Sequence, residues 1–338
     1  MSSDATDRAA QLTAGLTDFL VSELGSDTDP VVTGVAPISS IGNAREPWSF
    51  SASWTEPGGR RLEQCVMLLK ADAGQLETSL VPEFGVIAAL ASSDVPVPSA
   101  LWCDESGSWL GRPFFVTGHV AGSPSMRPLR NEGGDADLRA VALDLARAAA
   151  RLHCIDWRAA DVSFLDPVTP TDAAHTQLDQ WQDQFERQRL GAEPGLRWAF
   201  EWLRANAPTA DRVSIVHGDL RFGNLLYEGP KLTALLDWEM THLGDPTEDL
   251  GWVYRELWSP RRSLEFDDFL AAYEHEAGVA VDRNRLRWYQ AFSEAKHSVI
   301  SLTGARSFHD RSTLNLRHAD RRATVGAFLR RFYELVPA

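Results

Sequence analysis

The spacing of apolar residues changes at the segment AGSPSMRP, residues 121–128, and this change constrains the fold more than any other feature. Within Val31–Lys70 the apolar residues form three short runs (VVTGVAPIS, WSFSASW and EQCVMLLK) separated by glycine-containing turns, as in β-strands. Further strands are predicted at 95–103 and 114–120. After the segment the spacing becomes helical, as in ADLRAVALDLARAAARLHCI at 136–155. The sequence therefore predicts an α+β fold, with a small, mostly antiparallel sheet followed by a larger helical part.

The two parts are interpreted as two lobes. The N-terminal lobe, residues 1–121, begins with an amphipathic helix at 7–24 and has one further main helix at 79–91. The C-terminal lobe, residues 122–338, contains a Trp-rich helix around 177–205 and one β-hairpin. Ligands commonly bind where two such lobes meet, so a cleft is expected at the linker.

Composition excludes several classes of protein. The formal net charge of −14 argues against nucleic acid as a partner, because phosphates require a basic surface. The chain has no run of 18 apolar residues, which is the length needed to span a bilayer. The first residues, MSSDATDRAA, lack the basic and apolar regions of a signal peptide. The three cysteines are widely spaced and odd in number, which favours free thiols. We therefore expect a cytoplasmic protein without a membrane partner.

One stretch, VHGDLRFGNLLYEGPKLTALLDWE at 216–239, places several polar residues between short apolar runs. Asp219 follows a predicted strand directly, and Asn224 lies five positions later, at the far end of a short loop. Two further strands with a turn at Glu228–Gly229–Pro230 then lead the chain back to Asp237. We therefore expect the hairpin to return Asp237 to the neighbourhood of Asn224.

These three side chains are suited to phosphoryl transfer. Carboxylate and amide oxygens are hard ligands that Mg²⁺ prefers, and one carboxylate remains to accept a proton. In kinases an aspartate orients the attacking hydroxyl while Asn and Asp hold the metal ions. The order here, Asp219, five positions to Asn224, then thirteen to Asp237, matches the spacing of the protein-kinase fold.

The motifs HGDLRFGN and LLDWE resemble those of the aminoglycoside phosphotransferase and choline kinase superfamily of small-molecule kinases. The continuation DWEMTHLGDPTEDLGW resembles the subgroup that includes kinase-like domains fused to some acyl-CoA dehydrogenases, and the similarity extends upstream through RPFFVTGHVAG and RLHCIDW. This resemblance implies a two-lobed, protein-kinase-like fold. It also implies a Mg²⁺-dependent enzyme that transfers phosphate from ATP, with GTP not excluded, to a hydroxyl group of a small molecule.

In the C-terminal lobe the resemblance assigns Asp219 as the catalytic base and Asn224 and Asp237 as Mg²⁺ ligands. Arg221 occupies the position at which relatives place a cation near the transferred phosphate. A surface ion pair is an equally good interpretation of Arg221, and a turn carboxylate that caps local amides is the alternative for Asp219.

In the N-terminal lobe the resemblance assigns nucleotide contacts. Lys70 ends the strand EQCVMLLK, where the fold places the lysine that contacts the α- and β-phosphates, and lysine occurs only three times in the chain. Its helix partner is assigned to Glu83, with Glu77 as the alternative. The adenine would bind backbone groups in FFVTGHVAG, which by position are the carbonyl of Gly118 and the amide of Val120.

The sequence departs from relatives in the loop expected to cover the phosphates. Many relatives have Gly-x-Ser-Asn-x-Thr before an aromatic residue, whereas this chain has Gly42–Pro47 followed by Trp48. Pro47 has no amide to offer a phosphate. A second departure, Gly218 in place of the arginine that precedes the base in protein kinases, favours a small-molecule acceptor without control by a phosphorylated loop.

Two alternatives to a kinase remain open from the sequence. A nucleotide-binding pseudokinase would keep the fold without turnover, which the altered Gly42–Pro47 loop would permit. A metallohydrolase would use His217, Asp219, Asp237 and His242 as ligands, but it would not need Asn224 at its spacing. His217 and His242 are otherwise interpreted as structural residues. The acceptor is not identified by the sequence, and aminoglycosides and hydroxyacyl thioesters are both candidates.

Overall fold

The fold is described from a computed structural model. The described residues are 3–38, 45–70, 79–124, 134–255 and 263–337. They form two compact units, one of Met1–Ala91 with Val97–Ala121 and one of Ser92–Pro96 with Gly122–Ala338. The α+β fold predicted from the sequence is confirmed, since an antiparallel sheet precedes a mainly helical part. The nucleotide-binding role of residues 1–121 and the acceptor-binding role of residues 122–338 stay predictions.

The first unit is a five-stranded sheet with two helices. Its elements are α1 (Ser3–Leu24), β1 (Val31–Pro37), β2 (Arg45–Glu56), β3 (Gly59–Lys70), α2 (Leu80–Ala89), β4 (Ala100–Asp104) and β5 (Phe114–Gly118). The strand order is β1-β2-β3-β5-β4, and every neighbouring pair is antiparallel. The predicted strand at 95–103 is partly wrong, because only its second half enters the sheet as β4.

The core of the first unit lies between α1 and one face of the sheet. Along β2, burial alternates residue by residue, so Trp48 and Phe50 point to the same side of the pleat. They pack with Leu16 and Phe19 of α1 in one apolar cluster. This amphipathic pairing explains why α1, whose apolar residues follow a helical spacing, is held on the sheet.

The second unit is mainly helical. Its helices are α3 (Gly134–Cys154), α4 (Ala173–Gln188), α5 (Pro194–Ala205), α6 (Thr247–Val253), α7 (Phe266–Ala277), α8 (Arg283–His309), α9 (Leu316–Ala319) and α10 (Arg321–Leu335). Buried apolar residues of α4, α5, α8 and α10, with Phe185, Phe200 and Phe292 among them, pack in one core cluster. Among the described residues, none of the helices has the length and apolarity needed to cross a membrane.

The single helix predicted around 177–205 is wrong. The structure divides it into α4, which ends at Gln188, and α5, which begins at Pro194. Proline is favoured in the first turn of a helix and disfavoured inside one. Gly191 and Pro194 therefore mark a turn that lets Phe185 and Phe200 stack, with ring centroids 5.9 Å apart.

Two short two-stranded sheets interrupt the helices. The predicted hairpin is present as β7 (Leu225–Glu228) and β8 (Lys231–Leu235), joined through Gly229. The strand predicted before His217 is also present, as β6 (Ser214–Val216), and it pairs with a strand that was not predicted, β9 (His242–Gly244). These strands position the polar stretch 216–239.

Candidate active site

The candidate active site is built on the loop that follows β6. The loop turns at Gly218, whose φ is +79°, a conformation that L-residues other than glycine rarely adopt. A Cβ at this position would lie 2.3 Å from the carbonyl oxygen of Met240. Both the backbone angle and the close approach to Met240 require glycine here.

Asp249 of α6 binds the backbone of this loop. Its carboxylate accepts hydrogen bonds from the amides of His217 (2.8 Å) and Gly218 (2.9 Å) and from His153 Nε2 (3.0 Å). Burial alone would raise the pKa of Asp249, but these hydrogen bonds and the neighbouring imidazoles hold the pKa below its usual value. A buried, ionised carboxylate therefore fixes the backbone immediately before Asp219.

The Asp219 carboxylate is surrounded by donors within the second unit. Asn224 Nδ2 lies 2.6 Å from Oδ2, and Arg221 Nε lies 3.1 and 3.0 Å from the two oxygens. Trp252 Nε1 donates to Oδ1 at 2.7 Å. The side chain of Asp219 is only 13% exposed. The carboxylate is thus held in one orientation, with part of its surface open to solvent.

Gly223 leaves room for the Arg221 side chain. A Cβ at position 223 would lie 2.2 Å from Arg221 Nη1. Arg221 is half-buried and forms an ion pair with Asp219. The structure therefore places Arg221 against the Asp219 carboxylate, and its contact with a transferred phosphate stays a prediction.

The hairpin brings Asp237 close to Asn224 along the backbone. The amide of Leu236 donates to the carbonyl of Asn224 at 2.9 Å. Asp237 directly follows Leu236 in the chain, so its backbone lies next to this hydrogen bond. Asn224 uses its side-chain nitrogen to bind both the carbonyl and the carboxylate of Asp219, and neither bond uses its side-chain oxygen. An amide oxygen and a carboxylate in this arrangement fit Mg²⁺, and their role as ligands stays a prediction.

The histidines of this region are engaged within the fold. His217 is fully buried, and its Nε2 bonds the carbonyl of Leu236 (3.1 Å) while its Nδ1 accepts from the amide of Asp219 (3.3 Å). Burial holds the pKa of His217 below its usual value. Among the described residues, no group of three His, Cys, Asp or Glu side chains is arranged to hold a metal ion. His217 thus uses both ring nitrogens within the fold, whereas the metallohydrolase alternative needs one of them as a metal ligand.

Lys296 is a site residue that the sequence argument did not identify. It lies in α8 with an exposure of 1%. Its Nζ donates to the carbonyl of Gly218 (2.6 Å) and to Glu248 Oε1 (2.9 Å). The scarcity of lysine in the chain was the available signal, but it was applied to Lys70 and not to Lys296.

The predicted nucleotide-binding residues lie in the first unit. Lys70 is the last residue of β3, is half-buried, and stands opposite Arg45 in the β2–β3 ladder. Glu83 of α2 is buried and pairs with Arg45, Nη2 to Oε2, at 3.0 Å. Gly118 ends β5. The contacts of these residues and of Val120 with a nucleotide stay predictions.

The predicted phosphate-covering loop is only partly described. Residues 42–44 lie outside the described part of the chain, whereas 45–47 are the first residues of β2 and pair with 68–70 of β3. The second half of the predicted loop is therefore strand, and the prediction that 42–47 form a single loop is wrong in that half. An extended ladder with β3 explains the difference, because Pro47 and Leu68 are directly opposite.

Comparison with known proteins identifies one family. The model of the "Phosphotransferase enzyme family" (APH) matches residues 44–289. The mouse acyl-CoA dehydrogenase family member 10 is 28% identical over 205 residues, which are 57% of this chain and 18% of that protein. The human family member 11 is 30% identical over 174 residues, 50% of this chain and 22% of that protein. The aligned part of this chain thus spans about a fifth of the length of these relatives.

Solved structures share the fold. A Ralstonia eutropha JMP134 protein assigned to the aminoglycoside phosphotransferases aligns with a TM-score of 0.75 and 21% identity, covering 95% of this chain and 97% of that one. A thermostable mutant of aminoglycoside phosphotransferase APH(4)-Ia, in complex with ADP and hygromycin B, aligns with a TM-score of 0.63 and 16% identity, covering 96% and 99%. At these identities the similarity establishes the fold and leaves the substrate open.

Proposed function

The chain belongs to the phosphotransferase enzyme family, and from this premise we propose that it transfers the γ-phosphate of ATP, with Mg²⁺, to a hydroxyl group of a small molecule. The proposal is carried by the placement of Asn224 Nδ2 at 2.6 Å from the Asp219 carboxylate. The hydrogen bond from the Leu236 amide to the carbonyl of Asn224 brings the chain back to the same loop just before Asp237. A carboxylate, an amide and a second carboxylate at this spacing are the groups that phosphoryl transfer uses.

In this proposal Asp219 orients the acceptor hydroxyl and takes its proton as the phosphate is transferred. The donors on its carboxylate keep it in one plane, which lowers the entropic cost of reaching the reactive geometry. Asn224 and Asp237 would hold the metal. Mg²⁺ at these residues would neutralise negative charge on the phosphates.

Two cationic residues are assigned to the phosphates, one in each unit. Lys70 would contact the α- and β-phosphates, and Arg221 would balance negative charge near the transferred phosphate. Glu83 is the proposed helix partner of Lys70; its carboxylate here binds Arg45 of β2, which lies opposite Lys70 in the β2–β3 ladder. The adenine would donate a hydrogen bond to the carbonyl of Gly118 and accept one from the amide of Val120. GTP remains an alternative donor.

A screen of candidate acceptors tests the proposed phosphate transfer and identifies the acceptor. Purified protein with Mg·ATP is incubated with hydroxylated metabolites, hydroxyacyl thioesters, aminoglycosides and macrolides, and acceptor-dependent ADP release is measured. We expect at least one acceptor to raise ADP release above the slow background hydrolysis of ATP. Each product is then checked by mass spectrometry for the added phosphate.

The pseudokinase alternative gives a different result in the same screen. ATP would raise the thermal midpoint in the presence of Mg²⁺, because a ligand that binds only the folded state stabilises it. No acceptor in the panel would release ADP, and background hydrolysis would equal that of a protein-free control. This combination would contradict the proposed turnover while leaving nucleotide binding intact.

A further inference from the structure

Trp252 is a tryptophan whose indole contacts the carboxylate of the proposed catalytic base. It lies in α6 and is 2% exposed, and its indole Nε1 donates to Asp219 Oδ1 at 2.7 Å. The other buried tryptophans with hydrogen bonds in this unit donate to backbone carbonyls, Trp288 to Leu203 at 3.1 Å and Trp238 to Leu235 at 3.3 Å. Trp252 thus has the shortest bond of the three and a carboxylate as its partner, which strengthens the bond.

The indole of Trp252 is itself held in place. Lys296 Nζ lies 4.9 Å from the centroid of the Trp252 ring, and the same ammonium donates to the carbonyl of Gly218 at 2.6 Å. On the ring, the Arg255 guanidinium lies at 5.1 Å and the His297 imidazole at 5.7 Å. One buried ammonium therefore contacts both the ring that binds Asp219 and the peptide that precedes Asp219.

The carboxylate of an aspartate rotates easily about its last torsion, which is broad and roughly two-fold. Asn224 binds Oδ2 and Trp252 binds Oδ1, so the two donors together set the plane of the group. Each carboxylate oxygen has two acceptor positions. Arg221 Nε also donates to both oxygens, at 3.1 and 3.0 Å, so a substrate hydroxyl would take the place of Arg221 at one of them.

We propose that Trp252 is a positioning residue, whose indole N–H fixes the plane of the Asp219 carboxylate for proton acceptance. This inference rests on the proposed phosphotransferase function. Loss of the N–H would leave the substrates bound but allow the carboxylate to rotate out of the reactive orientation. Loss of the N–H is therefore expected to lower kcat and to leave the KM of each substrate unchanged.

The first test compares Trp252→Phe with the matched control Trp288→Phe, which removes one indole hydrogen bond from the core of the same unit. We expect Trp252→Phe to lower kcat by about 10- to 100-fold, as for a displaced catalytic group, and to change each KM by less than about threefold. Trp288→Phe should keep kcat within about twofold per folded molecule. Equal kcat in the two variants overturns the proposal.

A second variant separates the N–H from the volume of the ring. Replacing Trp252 with 3-benzothienylalanine puts sulfur in place of the N–H and keeps the bicyclic shape, so the fold is preserved. The same loss of kcat is expected. Wild-type kcat in this variant would show that the ring only fills space, and it would overturn the proposal even if Trp252→Phe were impaired.

A third measurement does not depend on activity. In protein labelled with ¹⁵N-tryptophan, the indole resonance that disappears in Trp252→Phe is assigned to Trp252. We expect this resonance to shift in Asp219→Asn, whereas the resonance of Trp288 stays in place. An unmoved Trp252 resonance overturns the inference. Absence of phosphotransfer by the wild-type protein, with the resonance shifted, would instead contradict the proposed function alone.

Discussion

Asp237 has a left-handed backbone, with a φ of 69°. Aspartate and asparagine tolerate this region better than most residues, and backbone conformations of this kind occur often at functional sites. The conformation occurs directly after Leu236, whose amide binds the carbonyl of Asn224. The chain therefore adopts a costly turn at the residue that is proposed to bind Mg²⁺.

Asp237→Asn tests the metal role without disturbing the turn. Asparagine accepts the same backbone angle, so the thermal midpoint should change little, while loss of the charge should weaken binding of a hard cation. By calorimetry, we expect the gain in ATP affinity on adding Mg²⁺ to fall at least tenfold.

The matched control for this variant is Asp29→Asn. Asp29 also has a positive φ, 48°, but it lies in the first unit and its side chain is 81% exposed. Its substitution should leave the Mg²⁺ dependence of ATP binding unchanged. An Asp237→Asn protein that keeps the full Mg²⁺ dependence would show that Asp237 is not a ligand.

His297 connects the site to the pH dependence of stability. Its ring stacks on Phe328 with centroids 4.3 Å apart. Burial, and after it the positive charge of four guanidinium groups, hold the pKa of His297 well below its usual range. The four guanidinium groups belong to Arg255, Arg321, Arg331 and Arg221. His297 is therefore neutral in the folded protein at pH 7.

The free energy of unfolding depends on pH because the folded and unfolded chains bind different numbers of protons at this histidine. Below about pH 6.5 the unfolded chain protonates this histidine and the folded chain does not. The unfolded state then binds more protons, so the free energy of unfolding falls as pH decreases, by up to about 1.4 kcal/mol per pH unit. The contribution is fully present above pH 6.5 and is lost progressively below it.

His297→Phe should remove this part of the pH dependence, because phenylalanine keeps the stacking and cannot be protonated. Urea unfolding of both proteins between pH 7.5 and 5 measures it. We expect the wild-type protein to lose more stability than the variant over this range. Parallel curves for the two proteins would contradict a buried, neutral His297.

At the scale of elements, the loop after β6 depends on the space at Gly218. Its carbonyl binds Lys296, its amide binds Asp249, and Met240 occupies the place where a side chain would begin. Side chains of α6 and α8 and the backbone of Met240, two residues before β9, therefore meet at Gly218. A small displacement of this loop would move Asp219.

Gly218→Ala and Gly229→Ala form a matched pair for this loop. Both glycines have positive φ, 79° and 56°, but a Cβ at Gly229 would meet nothing within 4 Å. Gly229→Ala should cost about 1–2 kcal/mol, from backbone strain alone, as measured by urea unfolding. Gly218→Ala should cost more, since it adds a clash with the backbone of Met240. Equal costs would contradict this description of the loop.

The elements differ in how well the sequence predicts them. The β7–β8 hairpin was predicted correctly, because its turn residues and its alternating apolar residues are adjacent in the chain. β9 was missed, since three residues carry no pattern of their own and are fixed by pairing with β6. The break between α4 and α5 was signalled by Gly191 and Pro194, but the continuous apolar spacing outweighed that signal.

At the scale of the whole molecule, sequence spacing identifies only the local part of the site. Asp219 and Asn224 are five positions apart, and the structure joins them by a side-chain hydrogen bond. Trp252 binds Asp219 across 33 positions of sequence, and Lys296 binds Gly218 across 78 positions. Such contacts depend on how α6 and α8 pack, which periodicity within each helix does not determine.

The relation to the phosphotransferase enzyme family was predicted from motifs that run through much of the chain, and the family match over residues 44–289 confirms it. The acceptor was not predictable from these motifs, because related folds bind different small molecules. The acceptor pocket is predicted to lie among the helices of residues 122–338, and the sequence of a helix records burial more directly than it records the shape of a cavity.

The most direct test of the central claim measures phosphate transfer and nucleotide affinity together in wild-type protein and Asp219→Ala. With an acceptor found in the screen, we expect the variant to lose at least about 100-fold in kcat, as for removal of a general base. Its affinity for Mg·ATP should stay within about threefold, since Asp219 is proposed to act on the acceptor. Near-wild-type turnover in Asp219→Ala, with the protein folded and saturated with Mg·ATP, would contradict the account.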